Sequence, residues 1–405
     1  MTSSRMRHAH PAVFMFLIIP FGAMGGYLTT AVAYQLAQAG VNAEEIAGLV
    51  AVSYIPHTWK FLWAPVVDTR LRRKTWYLLG AILTAVGVFA MGAVPATSAS
   101  LPLLYGVVLG LNVASTFLAM AVESLVAYGT TEDQKGRAGG WFQAGNLAGS
   151  GLGGGAGLWL AQSLPDPWMS GAVLGAACAL CSIALIGVME PPPLTRTGSH
   201  GRDVANVLRD LWHVARSRTG VLALLICFLP IGTSAASNLW AAVADDWHAS
   251  ADTVALVTGV VSGGVSAIGC LVGGHFCDRM DRKMAYALYG LLQVACAVAM
   301  AFAPRTEVYY IVFTTVYAFT NGLTFAAFSA VVFEAIGHGA AATKYNVFAS
   351  LSNMPIAYMT VVEGWAHTRW GASGLLHSEA LFAVAGLLVF MAAAAFKPRR
   401  RVRVL

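Results

Sequence analysis

The sequence predicts an all-α membrane protein with twelve transmembrane helices in two pseudo-symmetric six-helix bundles. Three observations predict it. The 405 residues are 57% hydrophobic and only 11% charged, whereas a soluble domain carries about 25% charged residues. The chain also repeats itself at about half its length. Pro20-x-Gly22 returns as Pro230-x-Gly232, Asp68 as Asp278, Arg72 as Arg282 and Arg73 as Lys283, each 210 residues on; Asn112 and Asn321, and Glu123 and Glu334, follow at 209 and 211. A repeat of this size in an apolar chain implies two related halves with a solute site between them. Finally, 22 of the 25 Lys and Arg fall in alternate connections, leaving Arg305 and Arg369 on the other side and Lys60 within a span. This is the positive-inside pattern with both termini in the cytoplasm.

The apolar runs place spans at 11–38, 44–67, 75–95, 101–128, 138–162 and 168–189, then at 219–244, 253–276, 284–303, 307–335, 345–366 and 376–396. Each is close to the length that crosses the hydrocarbon core as a helix, which also satisfies its own backbone. No cleavable signal peptide is evident before the first span. Residues 1–190 form the predicted N-terminal bundle and 219–405 the C-terminal bundle with a basic tail. The linker 191–218 opens on Pro191-Pro192-Pro193 and then spaces Val204, Val207, Leu208, Leu211 and Val214 on one face, which predicts an amphipathic helix on the inner surface. Pro20, with Gly22, Gly25 and Gly26, and Pro230, with Gly232, predict kinks at matching places in spans 1 and 7. Span 5 is glycine-rich: Gly149, Gly153 and Gly157 recur every fourth residue, as do Gly151 and Gly155, a pattern for close helix packing.

The junction of spans 2 and 3 reads Ala64-Pro65-Val66-Val67-Asp68-Thr69-Arg70-Leu71-Arg72-Arg73-Lys74, and its repeat reads Gly274-His275-Phe276-Cys277-Asp278-Arg279-Met280-Asp281-Arg282-Lys283. Both resemble the loop motif of the major facilitator superfamily, with departures at Ala64, Leu71 and Asp281. The resemblance implies that Asp68, Arg72, Asp278 and Arg282 are gating residues that latch the halves on the inner side. The string Pro56-x-x-x-Lys60-Phe61-Leu62-Trp63-x-Pro65-x-x-Asp68 resembles the AmpG-like branch of that superfamily: muropeptide permeases, siderophore importers and the acetyl-CoA transporter group. That resemblance implies uptake of a sizeable, often anionic solute, commonly with protons; twelve spans bring the chain nearer to the siderophore importers. Gly136, Gly145, Gly149, Gly153 and Gly154 also match the spacing of the antiporter motif of drug/proton exporters, with Ser150 in place of its proline. Efflux of lipophilic compounds is therefore the alternative.

Lys60 is the one basic residue within a span. An ionisable group at membrane depth is expensive and marks a solute or proton path by default. The expected role of Lys60 is to hold a solute carboxylate or phosphate, or to exchange partners with Glu123; the structural alternative is a lysine that snorkels or pairs with Asp68 or Glu123. Glu123 and Glu334 occupy equivalent places and are the expected proton-coupling residues, with a latch role as the alternative. Glu363 is expected near the outer face, as a gate contact or a surface carboxylate. Buried amides need partners, so Asn112, Asn146, Asn238, Asn321 and Asn353 either bridge helices or face the solute. Tyr27, Tyr34, His57, Trp63, Gln143 and Trp240 could complete the walls of the site.

The net charge of +6 is spread along the inner connections, which excludes a nucleic-acid footprint and fits contact with anionic lipid. The six cysteines, including Cys178-x-x-Cys181, read as small apolar residues of membrane helices. No hydrolase, metalloprotease or P-loop motif appears. The expectation is a non-enzymatic, proton-driven importer of a small-molecule solute, monomeric, with no cofactor or metal, in the bacterial inner membrane.

Overall fold

The computed structural model describes residues 12–63, 71–129, 135–188, 218–277, 279–336 and 347–395, with isolated residues 10, 190, 209 and 212. Apart from residues 209, 212 and 218, the linker with its predicted amphipathic helix lies outside the described residues, as do Asp68, Asp278 and the side chain of Glu334. The described residues hold helices and turns and no strand.

All twelve predicted segments are present. Eight stretches are long and apolar enough to cross a membrane. They are spans 1 (Val13–Gln38), 3 (Arg73–Ala93), 4 (Ser98–Val126), 6 (Trp168–Gly187), 8 (Ala251–Cys277), 9 (Arg282–Phe302) and 10 (Glu307–Val332), and Val347–Ala395, which is two helices. That last stretch breaks at Gly371, whose φ of 63° only glycine adopts without strain. The predicted outer connection at 367–375 is thus replaced by one residue, and spans 11 (347–370) and 12 (372–395) form a tight hairpin. The remaining spans are shorter or less apolar for physical reasons. Span 2, Ala43–Trp59 with the 3-10 turn Lys60–Leu62, carries Glu44, Glu45 and Lys60. Span 5 runs Lys135–Gly151, Leu152–Ala156 and Gly157–Ser163 and is diluted by glycine.

Span 7 departs furthest from expectation. It is helical only over Arg218–Phe228 and then runs irregularly through short turns at Ala235–Asn238 and Ala244–Trp247. Pro230 cannot donate to the helical ladder, and Gly232 and Ser234 take φ of 61° and 55°. A side chain at Gly232 would meet Thr324 of span 10. Irregular backbone at membrane depth must find partners in protein. Three tyrosines supply them: the Tyr358, Tyr286 and Tyr310 hydroxyls donate to the carbonyls of Phe228, Ile231 and Trp240 at 2.7, 3.0 and 3.0 Å. What was expected to be a kink at Pro230 is a broken span. Pro20, by contrast, sits inside continuous helix, and the wider π-helical turn Tyr27–Val32 follows it.

Spans 1–6 pack on one another, as do spans 7–12, and the halves meet where span 2 crosses span 11 and span 5 crosses span 8. Glycine makes both crossings possible. Gly364 of span 11 lies against Ala43 and Ala47, and a Cβ on Gly155 would come within 2.6 Å of the Ala255 carbonyl. The other glycine face of span 5, at Gly149 and Gly153, packs on Ile19 and Ala23 of span 1. The expected packing role thus holds for both faces, one inside its half and one between halves.

Candidate functional site

Where the halves face each other there are two contiguous cavities. The larger, about 650 Å³, is chiefly apolar and lies among spans 2, 5, 7, 8, 10 and 11, with Tyr54, Gln143, Asn146, Asn238 and Asn321 supplying polar groups. The smaller, about 150 Å³, is rich in hydroxyls, among them Thr30, Ser150, Thr258 and Tyr317, and shares Asn238 and Asn321 with the first. Among the described residues, no charged side chain lines either one. Thus Gln143, Asn146, Asn238, Trp240 and Asn321, five of the residues expected to bind solute, reach the cavities. Asn238 ties the halves together: it accepts from the Tyr54 hydroxyl at 2.9 Å and donates to Thr360 at 3.0 Å.

The other expected residues lie elsewhere. The α-helix of span 2 ends at Trp59, so Lys60 opens a 3-10 turn rather than standing in mid-helix. Its ammonium donates to Glu123 at 3.0 Å, with side chains 13% and 25% exposed. This pair belongs to a polar seam between spans 2 and 4. His57 Nε2 meets the Asn112 carbonyl at 3.1 Å, and Trp63 Nε1 donates to Thr116 at 3.1 Å. Phe21 of span 1 meets the His57 ring edge to face. Tyr27 is locked to Ser170 of span 6 at 2.7 Å, Tyr34 is buried in the core of its half, and Asn353 turns back on the carbonyls of Ala349 and Ser350. Arg72 is exposed and Arg282 half-buried.

Spans 11 and 12 hold what sequence reasoning misplaced or missed. Glu363 is fully buried, not at an outer surface. Glu379, also buried, accepts from the Tyr317 hydroxyl and from Gln293, which bonds Ser234 at 3.1 Å. An acidic residue inside a predicted span is a recognisable signal, but Glu379 fell three residues past the predicted start of span 12, where a carboxylate reads as interfacial.

At one end the halves are latched. Gln38 donates to both Asp245 oxygens at 3.0 and 2.9 Å, and Arg369 pairs with Glu44 at 3.1 Å. The backbone N–H of Glu44 donates to Thr368 across the halves, and within the C-terminal half His367 contacts Asp246 at 2.5 Å. At this same end Arg305 lies over the Trp247 ring at 4.5 Å.

Two helical bundles enclosing a shared cavity between them, latched at one end, have the architecture of a membrane transporter. The sequence profile of the Major Facilitator Superfamily matches residues 12–357, and the chain belongs to that superfamily. It is similar in fold to a point mutant of the nucleoside transporter NupG (14% identity, 95% of this chain and 99% of that one, TM-score 0.73). It is also similar to a bacterial homolog of the human lysosomal transporter Spinster, solved in an inward-facing and unoccupied conformation (15%, 95% and 95%, TM-score 0.70). A third is a D-xylose-proton symporter (13%, 96% and 98%, TM-score 0.72). No curated protein sequence matches the chain. The protein is therefore a multi-pass membrane transporter of the major facilitator superfamily rather than an enzyme.

Proposed function

We propose that this transporter is a proton-coupled importer of a sizeable organic anion of the siderophore, muropeptide or CoA type, in the bacterial inner membrane with both termini cytoplasmic. The observation that carries the reading is the Lys60–Glu123 ion pair in the polar seam between spans 2 and 4. A solute carboxylate or phosphate would take Glu123's place on Lys60, and Glu123, released, would accept a proton; one charge exchange then links solute to proton. The solute class rests on the likeness of Pro56–Asp68 to the AmpG-like branch. In this orientation the latch from Gln38 to Arg369 faces outward and the cavity faces the cytoplasm. Asp68 with Arg72, Asp278 with Arg282, and the repeat-related Glu334 would act on the inner side as the latch of the opposite state. Efflux of lipophilic compounds is the second reading, and one observation favours it: the described cavity walls are apolar and amide-bearing without a charge.

The test is a thermal-shift screen of the detergent-purified protein against ferric siderophores, muropeptides, acyl-CoA and lipophilic cations, since a ligand of the folded state raises apparent stability. The expected hit is an anionic solute whose stabilisation and vesicle uptake are both lost in Lys60→Ala. Stabilisation by lipophilic cations alone, untouched by Lys60→Ala, selects efflux instead.

A further inference from the structure

Spans 11 and 12 turn back on each other at Gly371. Glu363 stands eight residues before that turn and Glu379 eight residues after it. In two antiparallel helices, equal distance from the turn means equal depth, here about 12 Å from the tip at 1.5 Å per residue. The two helices touch just inside the turn: a Cβ on Gly374 would lie 2.6 Å from the Ala366 carbonyl. Both carboxyls are buried, at 0% and 4% exposure. Glu363 lies within electrostatic reach of Glu379, and Tyr317 within reach of both.

Their surroundings offer no positive charge among the described residues. Span 10 presents Tyr317, span 9 presents Gln293 and Cys296, and the broken part of span 7 presents Ser234 behind Gln293. Span 2 brings only Ala43 and Ala47 against Gly364, the neighbour of Glu363. On the hairpin itself His367 is engaged by Asp246, and His377 is exposed against Phe302. Among the described residues neither carboxyl has an ion-pair partner, and both Glu363 oxygens and Glu379 Oε2 lack a hydrogen-bond partner. An ionised carboxylate without water or a counter-charge is costly to bury, and two that sense each other cannot readily ionise together. A proton on one carboxyl turns an oxygen into a donor for the other and removes one of the two charges.

We propose that Glu363 and Glu379 hold a shared proton and form a second proton site, in the C-terminal half and separate from the Lys60–Glu123 pair. Tyr317 connects it to the cavity, because its hydroxyl donates to Glu379 Oε1 and its residue lines the hydroxyl-rich end. A proton arrives from cavity water onto Tyr317 Oη as the phenol's own proton passes to Glu379 Oε1; release reverses these two transfers, and no other bond changes. The hairpin that carries the pair also carries Thr368 and Arg369 at its tip, which bond to Glu44 of the opposite half, while His367 contacts Asp246 within its own half. The state of the pair is thereby joined to the closed end of the transporter.

The test is infrared spectroscopy of the purified full-length protein from mildly acidic to mildly alkaline pH, in H2O and D2O. Of the 19 Asp and Glu, only those holding a proton near neutrality give a carboxylic-acid carbonyl band that shifts in D2O. The expected result is one such band per chain. Each of Glu363→Gln and Glu379→Gln shifts or removes it, and the double variant lacks it. Glu123→Gln retains it, so this outcome is independent of the solute site. Tyr317→Phe keeps the band but moves its frequency, which also covers the case in which a glutamine variant fails to fold. Absence of the band from the unaltered protein, or its survival in the double variant, overturns the shared proton; a band unmoved by Tyr317→Phe overturns the route through Tyr317.

Discussion

Gly259 of span 8 is where one methyl group should change the conformational balance. A Cβ there would lie 2.6 Å from both Cα and N of Gly155 in the opposite half, where 3.4–4 Å is ordinary contact. Backbone cannot rotate out of the way as a side chain can, so the two spans must part by about 1 Å. Overpacking of this kind costs about 1–3 kcal/mol. The crossing lies toward the latched end, and opening that end relieves the clash. The cost therefore falls on the closed state alone and shifts the equilibrium toward its opposite by about 5- to 150-fold. Hydrogen exchange reads the shift: in Gly259→Ala the amides of 36–42 and 244–250, held against their partners in the closed state, should exchange correspondingly faster. Gly153→Ala is the control. Its clash is with Ala23 of the same half, so it should loosen the N-terminal bundle as a whole and leave the latch segments no more affected than the rest. A Gly259→Ala protein that is folded and exchanges like the unaltered one at both latch segments would refute the reasoning.

The Lys60–Glu123 pair, at 13% and 25% exposure, lies between a surface pair worth under about 1 kcal/mol and a buried pair whose breaking costs about 3–5 kcal/mol. A double-mutant cycle with Lys60→Met and Glu123→Gln, read by detergent-unfolding equilibria, should give a coupling of about 2 kcal/mol; a value near zero would mean the pair is not formed in the membrane. The latch pair Arg369–Glu44 is 46% and 43% exposed. Arg369→Ala should therefore cost under about 1 kcal/mol and lose what effect it has at high salt; a large, salt-insensitive effect on hydrogen exchange at 36–42 would show that Arg369 acts instead through the Trp365 ring, over which its guanidinium lies at 4.4 Å.

Most of the fold was legible because the bilayer imposes simple rules on composition. The twelve segments, their repeat and the glycine faces of span 5 all leave periodic traces. The end of span 7 did not, because its helical run is replaced by carbonyls capped from a distance by Tyr286, Tyr310 and Tyr358, and no local pattern announces a partner 55 to 130 residues away. The turn at Gly371 was hidden for the opposite reason. A one-residue connection between polar-tipped helices looks like a short loop in composition, and that error moved Glu363 toward a surface and left Glu379 unnoticed. Charge placement singled out Lys60 and Glu123, which pair with each other away from the two cavities. Which amides reach the cavity depends on helix rotation, and embedded Asn residues look alike in sequence whether they line the cavity, as Asn238 does, or turn back on their own helix, as Asn353 does.

The turn at Gly371 also bears on how the chain enters the membrane during synthesis. Inserted singly, span 11 and span 12 would each carry an unmatched carboxyl past the lipid, at about 3 kcal/mol if ionised near the helix centre. With one residue between them, neither helix can settle far ahead of the other, so the two are delivered together as a preformed unit. Glu363 and Glu379 then enter facing protein rather than acyl chains. What is most difficult to insert in the last fifth of this polypeptide is shielded by the brevity of the link that joins it.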